Sequence, residues 1–265
     1  MSFIVSTCFP ICFRFPQLKS TNRKWSSYPI TQSLLNIKYI MNNTVPTFAK
    51  QDGMKFFRTL NSKVNNYFKE NNISRQGGFS IYLKASIMAA IFTVPLILLS
   101  CNVVSHPLLV ILFYLISGIG MAGIGMGIMH DANHGSLSKR STVNNIFSRS
   151  LDFMGCSSAV WKLQHNVKHH TYTNIHDHDE DIEAPFFLAF SPNSKIYWIH
   201  RFQHIYAWFF YMLTTLNWVT IKDFIALKKY YNEGLITSKK EYRIEILRTI
   251  GWKLFYYSYV LVLPL

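Results

Sequence analysis

The chain has 265 residues, with 27 Lys and Arg against 13 Asp and Glu, which gives a formal net charge of +14. Hydrophobic residues make up 49% of it and aromatic residues 16%, a composition that excludes an intrinsically disordered protein. The basic charge suits nucleic acid or anionic lipid headgroups, but no recognisable nucleic-acid-binding motif accompanies it. We therefore expect membrane lipid as a partner and no nucleic acid.

Residues 1–40 form a basic extension, and no acidic residue occurs before Asp52. Its composition is compatible with a transit segment. We favour Met41 as the real start of the protein, with the preceding residues not native, because the sequence changes character there. From Thr47 to Asn72 the chain is polar and helical in pattern, and Phe56, Leu60, Val64 and Phe68 recur every four residues beside basic side chains. Such a helix lies either on the membrane or on the surface of a cytosolic cap.

No Asp, Glu, Lys or Arg occurs from Ala85 to His130, a run of 46 residues. As a helix this run is roughly 69 Å long, about twice the hydrocarbon thickness of a bilayer, which predicts two membrane spans and a turn. We place the spans at 81–101 and 107–129. Five glycines in the second span predict close packing against another helix: Gly118, Gly120, Gly123, Gly125 and Gly127. The turn lacks basic residues whereas both flanks carry several, so both flanks are predicted to be cytoplasmic.

Two further apolar stretches follow. Ile205–Ile221 is uncharged and rich in aromatic residues, and eight basic residues lie between Lys222 and Lys253. Crossing the membrane would place those residues outside, so we interpret the stretch as an interfacial helix. The chain then ends on the apolar residues Leu254–Leu265. A third span is predicted to begin at about residue 252, and the sequence is expected to be a fragment.

Histidines form two clusters after the second predicted span. His130 and His134 are four residues apart, as are His165 and His169, with His170 adjacent. On a helix, residues four apart share a face, so both clusters are suited to binding metal, and we expect all five to converge near one membrane face. Five imidazoles exceed the four ligands of a tetrahedral zinc site and favour a two-metal site.

Acidic residues follow the second cluster. Carboxylates commonly orient metal-bound histidines by accepting the second ring N–H. A solvated acidic loop that balances nearby Lys and Arg is the alternative, and it is favoured for each residue taken singly. The candidates are Asp177, Asp179, Glu180, Asp181 and Glu183. The four cysteines (Cys8, Cys12, Cys101 and Cys156) indicate neither a disulfide framework nor a thiolate metal site.

The histidine motifs resemble those of a known family. His130-Asp131-Ala132-Asn133-His134-Gly135-Ser136, then His169-His170-Thr171-Tyr172-Thr173-Asn174-Ile175 and His178-Asp179-Glu180-Asp181-Ile182, are similar to the first and second histidine boxes of membrane fatty-acid desaturases. The acyl-lipid or linoleoyl-CoA desaturase-like branch is the most similar, from about Phe48 onwards. The resemblance implies four transmembrane helices under a cytosolic cap. For this chain we predict an all-α integral membrane protein with a transmembrane hairpin, interfacial helices and a cytosolic histidine-box cap, forming one incomplete desaturase domain over residues 41–265.

The resemblance also implies a chemistry. A non-haem diiron centre uses O2 and external electrons to insert a double bond into an acyl chain of an acyl-CoA or acyl-lipid. The implied iron ligands are His130, His134, His165, His169 and His170. A third box of the Gln-x-x-His-His type, expected near the C-terminus, is not found, and His200 and His204 do not form it. No His-Pro-Gly-Gly element of a fused cytochrome b5 domain occurs, so a separate donor of the ferredoxin or cytochrome b5 type is expected.

Three other interpretations stay open at this point. A related diiron hydroxylase acting on alkanes or carotenoids would share the boxes but insert oxygen. A non-enzymatic metal-binding membrane protein is disfavoured because the predicted spans themselves carry almost no histidine. A catalytically inactive fragment is the third. Trp161, Trp198 and Tyr206 are candidates for lining an acyl tunnel, although interfacial packing is the more usual role of such aromatics.

Overall fold

The computed structural model describes residues 52–264, with side chains from Lys55 onwards, so the predictions for residues 1–40 and for Cys8 and Cys12 lie outside the described part. Within this part every regular element is a helix, which confirms the all-α class. The chain divides between Ser150 and Leu151 into two compact units. We call them the N-terminal and C-terminal units.

The N-terminal unit contains four helices: α1 (Asp52–Glu70), α2 (Phe79–Ser100), α3 (Pro107–Asn133) and α4 (Ser141–Ser148). Helices α2 and α3 are long and apolar enough to span a membrane, and only 22% and 11% of their apolar windows are buried. The core helix of a soluble protein would be mostly buried, so these exposed apolar surfaces suit lipid. Both predicted spans are thus found as helices, while membrane insertion stays a prediction.

Small residues bring α2 and α3 together. A Cβ added to Gly120 would overlap the backbone of Ile91 and Phe92, and one on Gly123 would overlap Met88. Ser117 donates a hydrogen bond of 2.8 Å to the carbonyl oxygen of Phe92. Gly118 has open space around it. The predicted close packing is therefore carried by one face of the glycine-rich helix, as the helical period requires.

The first element of the C-terminal unit is a helical turn, Ser150–Phe153, which starts one residue before the boundary. Helix α5 follows as three continuous segments, Ser158–Trp161, Lys162–His169 and His170–Tyr172, of which the middle one is π-helical. A 3-10 turn (Trp198–Phe202) leads into α6 (Gln203–Asn217), and a π-helical segment (Trp218–Lys222) joins it to α7 (Asp223–Asn232). Helix α8 (Lys239–Tyr257) continues as Ser258–Val262.

Helix α6 covers most of the predicted interfacial stretch, and α8 covers the predicted start of a third span. Trp208, Phe209 and Met212 of α6 are exposed, as an interfacial helix requires. An interfacial position for α6 and a third span both stay predictions.

A buried ion pair fixes α8 against the start of α7. The ammonium of Lys253 lies 2.8 Å from Asp223 Oδ2 and also donates to the carbonyl oxygens of Gly155 and Trp218. Asp223 is fully buried and accepts hydrogen bonds from the Ser157 backbone N–H and the Trp218 indole. A buried charge is tolerated only with partners of this kind. The pair therefore joins α7 and α8 to the residue that caps α5.

Candidate metal centre

The first histidine pair lies at the C-terminal end of α3. The helix ends in a Schellman motif, in which the Gly135 N–H donates to Ala132 O and the Ser136 N–H donates to Asp131 O. Gly135 has φ +68°, a backbone conformation that residues with a side chain rarely adopt. This cap explains why Gly and Ser follow His134: they end the helix directly after the second imidazole.

The rings of His130 and His134 are in contact, with centroids 4.5 Å apart and planes at 66°. His130 is half-buried and His134 exposed. The spacing of four residues therefore brings both rings to one face, as the sequence predicted. Helix α3 is π-helical over Ile124–Met129, directly before this pair. Short π-helical segments occur frequently at functional sites.

The second cluster lies on the π-helical part of α5. A π-helical turn contains more residues than an α-helical turn, because its hydrogen bonds run from residue i to i+5. Positions four and five after His165 therefore both return to its side of the helix. His169 lies 5.1 Å from the His165 ring centroid and His170 lies 4.8 Å from it. The predicted group of three is confirmed as a spatial cluster, but through a helix type that the sequence did not indicate.

Trp161 forms one wall of this cluster. Its ring stacks on His165 with centroids 4.4 Å apart and an angle of 26°, and both residues are buried. Of the three candidate tunnel residues, Trp161 is thus a packing partner of a predicted ligand. Trp198 is exposed, and the Tyr206 hydroxyl donates to the carbonyl oxygen of Phe187.

Asp179 holds the ring of His169. It is fully buried, and its Oδ1 lies 2.9 Å from His169 Nδ1. The backbone N–H groups of Asn174 and Asp181 donate to the same carboxylate at 2.7 and 3.0 Å. A carboxylate fixed in this way selects the tautomer with a proton on Nδ1, which leaves the Nε2 lone pair for a metal ion.

One oxygen of Asp181 lies near both rings, with Oδ2 3.5 Å from His165 Nδ1 and 3.4 Å from His169 Nδ1. The side-chain amide of Gln164 donates a hydrogen bond of 2.9 Å to the other oxygen of Asp181. Burial raises the pKa of Asp181, but hydrogen bonds from His165 and Gln164 outweigh it and hold the pKa below its usual value. One ligand atom each from His165, His169 and Asp181 lie within 4.8 Å of one another, so this group is suited to a metal ion.

The loop that returns Asp179 to α5 depends on two residues in the left-handed region. Asn174 has φ 63° and Asp177 has φ 66°, and Asn and Asp are the non-glycine residues that adopt this region most readily. The Thr173 hydroxyl donates to His169 O at the end of the helix. The Thr-Tyr-Thr-Asn sequence is therefore the local signal for a tight return towards the histidines.

The other acidic candidates do not contact the rings of the second cluster. Glu180 binds Lys168, Lys229 and Tyr230. Burial raises the pKa of Glu180, but these three hydrogen bonds outweigh it and lower the pKa. Glu183 pairs with Lys229, and Asp177 is exposed. The solvated-loop interpretation thus fits the exposed residues Asp177 and Glu183, whereas Asp179 and Asp181 contact histidine rings.

His200 stabilises the loop before α6. Its Nδ1 accepts from the Tyr197 backbone N–H, and its Nε2 lies 3.0 Å from Phe186 O. Both ring nitrogens therefore contact backbone groups, and the absence of a metal role for His200 stays a prediction. His204 lies in the first turn of α6.

Sequence reasoning did not assign two of the contacts that shape the second cluster. The stacking of Trp161 was detectable, since it precedes His165 by four residues on the same helix. Gln164 gave no comparable signal, because its partner Asp181 lies 17 residues further along a loop. Among the described residues, Cys101 is an exposed free thiol and Cys156 is a buried one.

Comparison with known proteins identifies the relatives of this chain. The model of the fatty acid desaturase family matches residues 105–265. The sn-1 linoleoyl-lipid 6-desaturase of Arthrospira platensis is 34% identical over 223 residues, which is 83% of this chain and 58% of the relative. The enzyme of the same name from Synechocystis sp. is 32% identical over 212 residues, or 79% and 58%.

The acyl-lipid (8-3)-desaturase of Physcomitrium patens is 29% identical over 256 residues, which is 90% of this chain and 52% of the relative. The chain thus spans a little over half the length of these three relatives. No solved structure matches it. The family match covers both histidine clusters and agrees with the resemblance read from the boxes, so the chain belongs to the fatty acid desaturase family.

Proposed function

We propose that this protein is a membrane fatty-acid desaturase that inserts a double bond into an acyl chain. The observation that carries the proposal is the second cluster, where His169 and His165 are held by Asp179 and Asp181 on the helix that the family match covers. Membership of an oxidoreductase family acting on lipid supports the same reaction. The proposed substrate is an acyl-lipid rather than an acyl-CoA, since the relatives are named for acyl-lipid or linoleoyl-lipid substrates.

The proposed cofactor is a pair of non-haem iron ions. The donor set suits iron, because neutral imidazole is a good ligand for Fe²⁺ and the carboxylates turn ring N–H groups away from the metal-binding nitrogens. In the second cluster, the contact between Asp179 and His169 Nδ1 supports this assignment. The proposed ligands are His130, His134, His165, His169 and His170.

Iron that reacts with O2 supplies the oxidising power, because an unactivated methylene has no proton that a side chain removes. The protein residues supply orientation and exclusion of water. Asp179 keeps the proton of His169 on Nδ1, and Gln164 holds Asp181 near the Nδ1 atoms of His165 and His169. Trp161 covers one face of His165, so that water is excluded from that side.

Two electrons for each turnover come in this proposal from a separate donor of the ferredoxin or cytochrome b5 type. We also propose that α2 and α3 cross the membrane as a hairpin and that both histidine clusters lie on the cytoplasmic side. The lack of basic residues in the turn between these helices supports this orientation.

The test is His169→Ala in the protein expressed in a host that lacks polyunsaturated fatty acids of its own and is supplied with linoleic acid. We expect the wild type to retain iron and to produce lipids with one additional double bond, detected by gas chromatography and mass spectrometry. The variant should insert into membranes equally well and lose both iron and product. Hydroxylated acyl chains in place of unsaturated ones would contradict the proposed reaction, and unchanged desaturation by the variant would contradict the ligand assignment.

A further inference from the structure

The acidic segment Asp179–Asp181 turns successive side chains to opposite sides. Asp179 and Asp181 lie against the rings of His169 and His165. Glu180, between them, contacts none of the rings of this cluster and binds residues of α5 and α7 instead. The same three residues therefore contact the candidate metal ligands on one side and the helical core on the other.

The contacts of Glu180 are short and largely shielded from water. Its Oε1 lies 2.6 Å from Lys168 Nζ and 2.9 Å from Lys229 Nζ, and its Oε2 lies 2.5 Å from the Tyr230 hydroxyl. The Glu180 side chain is 11% exposed, and Tyr230 is fully buried. Charge-assisted hydrogen bonds in such surroundings are among the strongest that proteins form.

These partners belong to rigid parts of the C-terminal unit. Tyr230 packs in a core cluster with Val160, Leu227 and Ile236, and Val160 lies on the first segment of α5. Lys168 directly precedes His169 on the same helix, and it also pairs with Glu233. Glu180 thus joins the loop that holds the histidine rings to the helix that carries them.

We propose that Glu180 is a positioning residue for the metal centre, because it fixes the acidic segment that orients His165 and His169. The proposal rests on the proposed function. A carboxylate selects the tautomer of a histidine only while its own position is fixed, and loss of such outer partners typically lowers metal affinity about 10- to 100-fold. Loss of the Glu180 contacts would free Asp179 and Asp181 to rotate away from the rings.

The test measures metal affinity rather than turnover. The metal-stripped, full-length protein in detergent is titrated with Co²⁺, and binding is followed by calorimetry and by the visible d–d absorption of the ion. We expect Glu180→Gln to weaken Co²⁺ binding about tenfold or more and to change the absorption band. Glu183→Gln is the matched control, since this more exposed residue pairs with Lys229 from the same loop and is expected to bind Co²⁺ as the wild type does.

Tyr230→Phe provides a second variant that removes one hydroxyl and keeps the ring in the core. We expect it to weaken Co²⁺ binding in the same direction as Glu180→Gln, by a smaller factor. Thermal unfolding of every variant is followed by tryptophan fluorescence, and affinities are compared where each is folded. If Glu180→Gln does not fold, Tyr230→Phe decides the test.

The outcomes separate the two proposals. Wild-type protein that binds no Co²⁺, or a His169→Ala variant that binds it normally, would overturn the proposed metal centre. Wild-type binding that depends on His169 but is unchanged in Glu180→Gln and Tyr230→Phe would overturn the positioning role alone. Equal weakening by Glu180→Gln and Glu183→Gln would also overturn it, since that result reports the charge of the loop and not the contacts of Glu180.

Discussion

Replacement of Gly120 by alanine tests the packing of the α2–α3 hairpin. The new Cβ would lie 2.8 Å from the Ile91 carbonyl carbon and from Phe92 Cα, whereas ordinary contact begins at 3.4 Å. The helices must therefore separate by at least about 0.6 Å, and no flexible side chain is available to yield. Gly118→Ala, two residues away, is the matched control because its Cβ meets open space.

Two contributions determine how much stability the hairpin loses in Gly120→Ala. Overpacking costs about 1–3 kcal/mol, and separation also weakens the Ser117–Phe92 hydrogen bond, which is worth roughly 0.6 kcal/mol between membrane helices. Alanine gains about 1 kcal/mol of helix propensity over glycine at either position, so this gain cancels between the variants. The hairpin of Gly120→Ala should thus be about 2–4 kcal/mol less stable than that of Gly118→Ala.

Hydrogen–deuterium exchange measures this difference, because no tryptophan lies in α2 or α3 to report it by fluorescence. Under conditions where exchange follows the opening equilibrium, amides of 79–133 should exchange roughly 30-fold faster or more in Gly120→Ala than in Gly118→Ala. Peptides of the C-terminal unit serve as the internal reference, and their exchange rates should be the same in both variants. Equal exchange of the hairpin in both variants would refute close backbone packing at Gly120.

Two further substitutions test the helix end and the buried ion pair. Gly135→Ala places a Cβ in the left-handed region at a cost of about 1–2 kcal/mol, whereas Asn adopts this region more readily. The thermal midpoint should therefore be highest for the wild type, lower for Gly135→Asn and lowest for Gly135→Ala. The reverse order would contradict the Schellman cap. Lys253→Met leaves Asp223 buried without its counter-charge and should cost about 3–5 kcal/mol by fluorescence-monitored unfolding. Exposed Lys240→Met should be neutral, and an equal loss there would contradict the contribution of the ion pair.

Features governed by local composition and helical period were predictable from the sequence. The long run without charged residues located most of α2 and α3, because a charge in the hydrocarbon core of a bilayer is costly. The glycines predicted close approach, although only the structure separates Gly120 and Gly123 from the outward Gly118. The spacing of four residues likewise placed His130 beside His134.

Long-range contacts and altered helix types were not predictable. A period of 3.6 residues places His169 near His165, but the additional approach of His170 depends on a π-helical segment that no composition rule indicates. The contact of Asp179 with His169 depends on backbone angles at Asn174 and Asp177. The hydrogen-bond partners of buried charges, such as Tyr230 for Glu180, come from elements far apart in sequence. Which side chains meet depends on how these elements pack.

The π-helical segments make the length of these helices as important as their side chains. A one-residue deletion between Lys162 and His165 that restored an α-helix would turn the chain by about 100° per residue, so that His170, five residues after His165, would lie about 140° around the helix from it. Trp161 and His169 would stay on the side of His165 while His170 turned away. Substitutions preserve this relation and a deletion does not, so such helices should tolerate changes of residue type far better than changes of residue number.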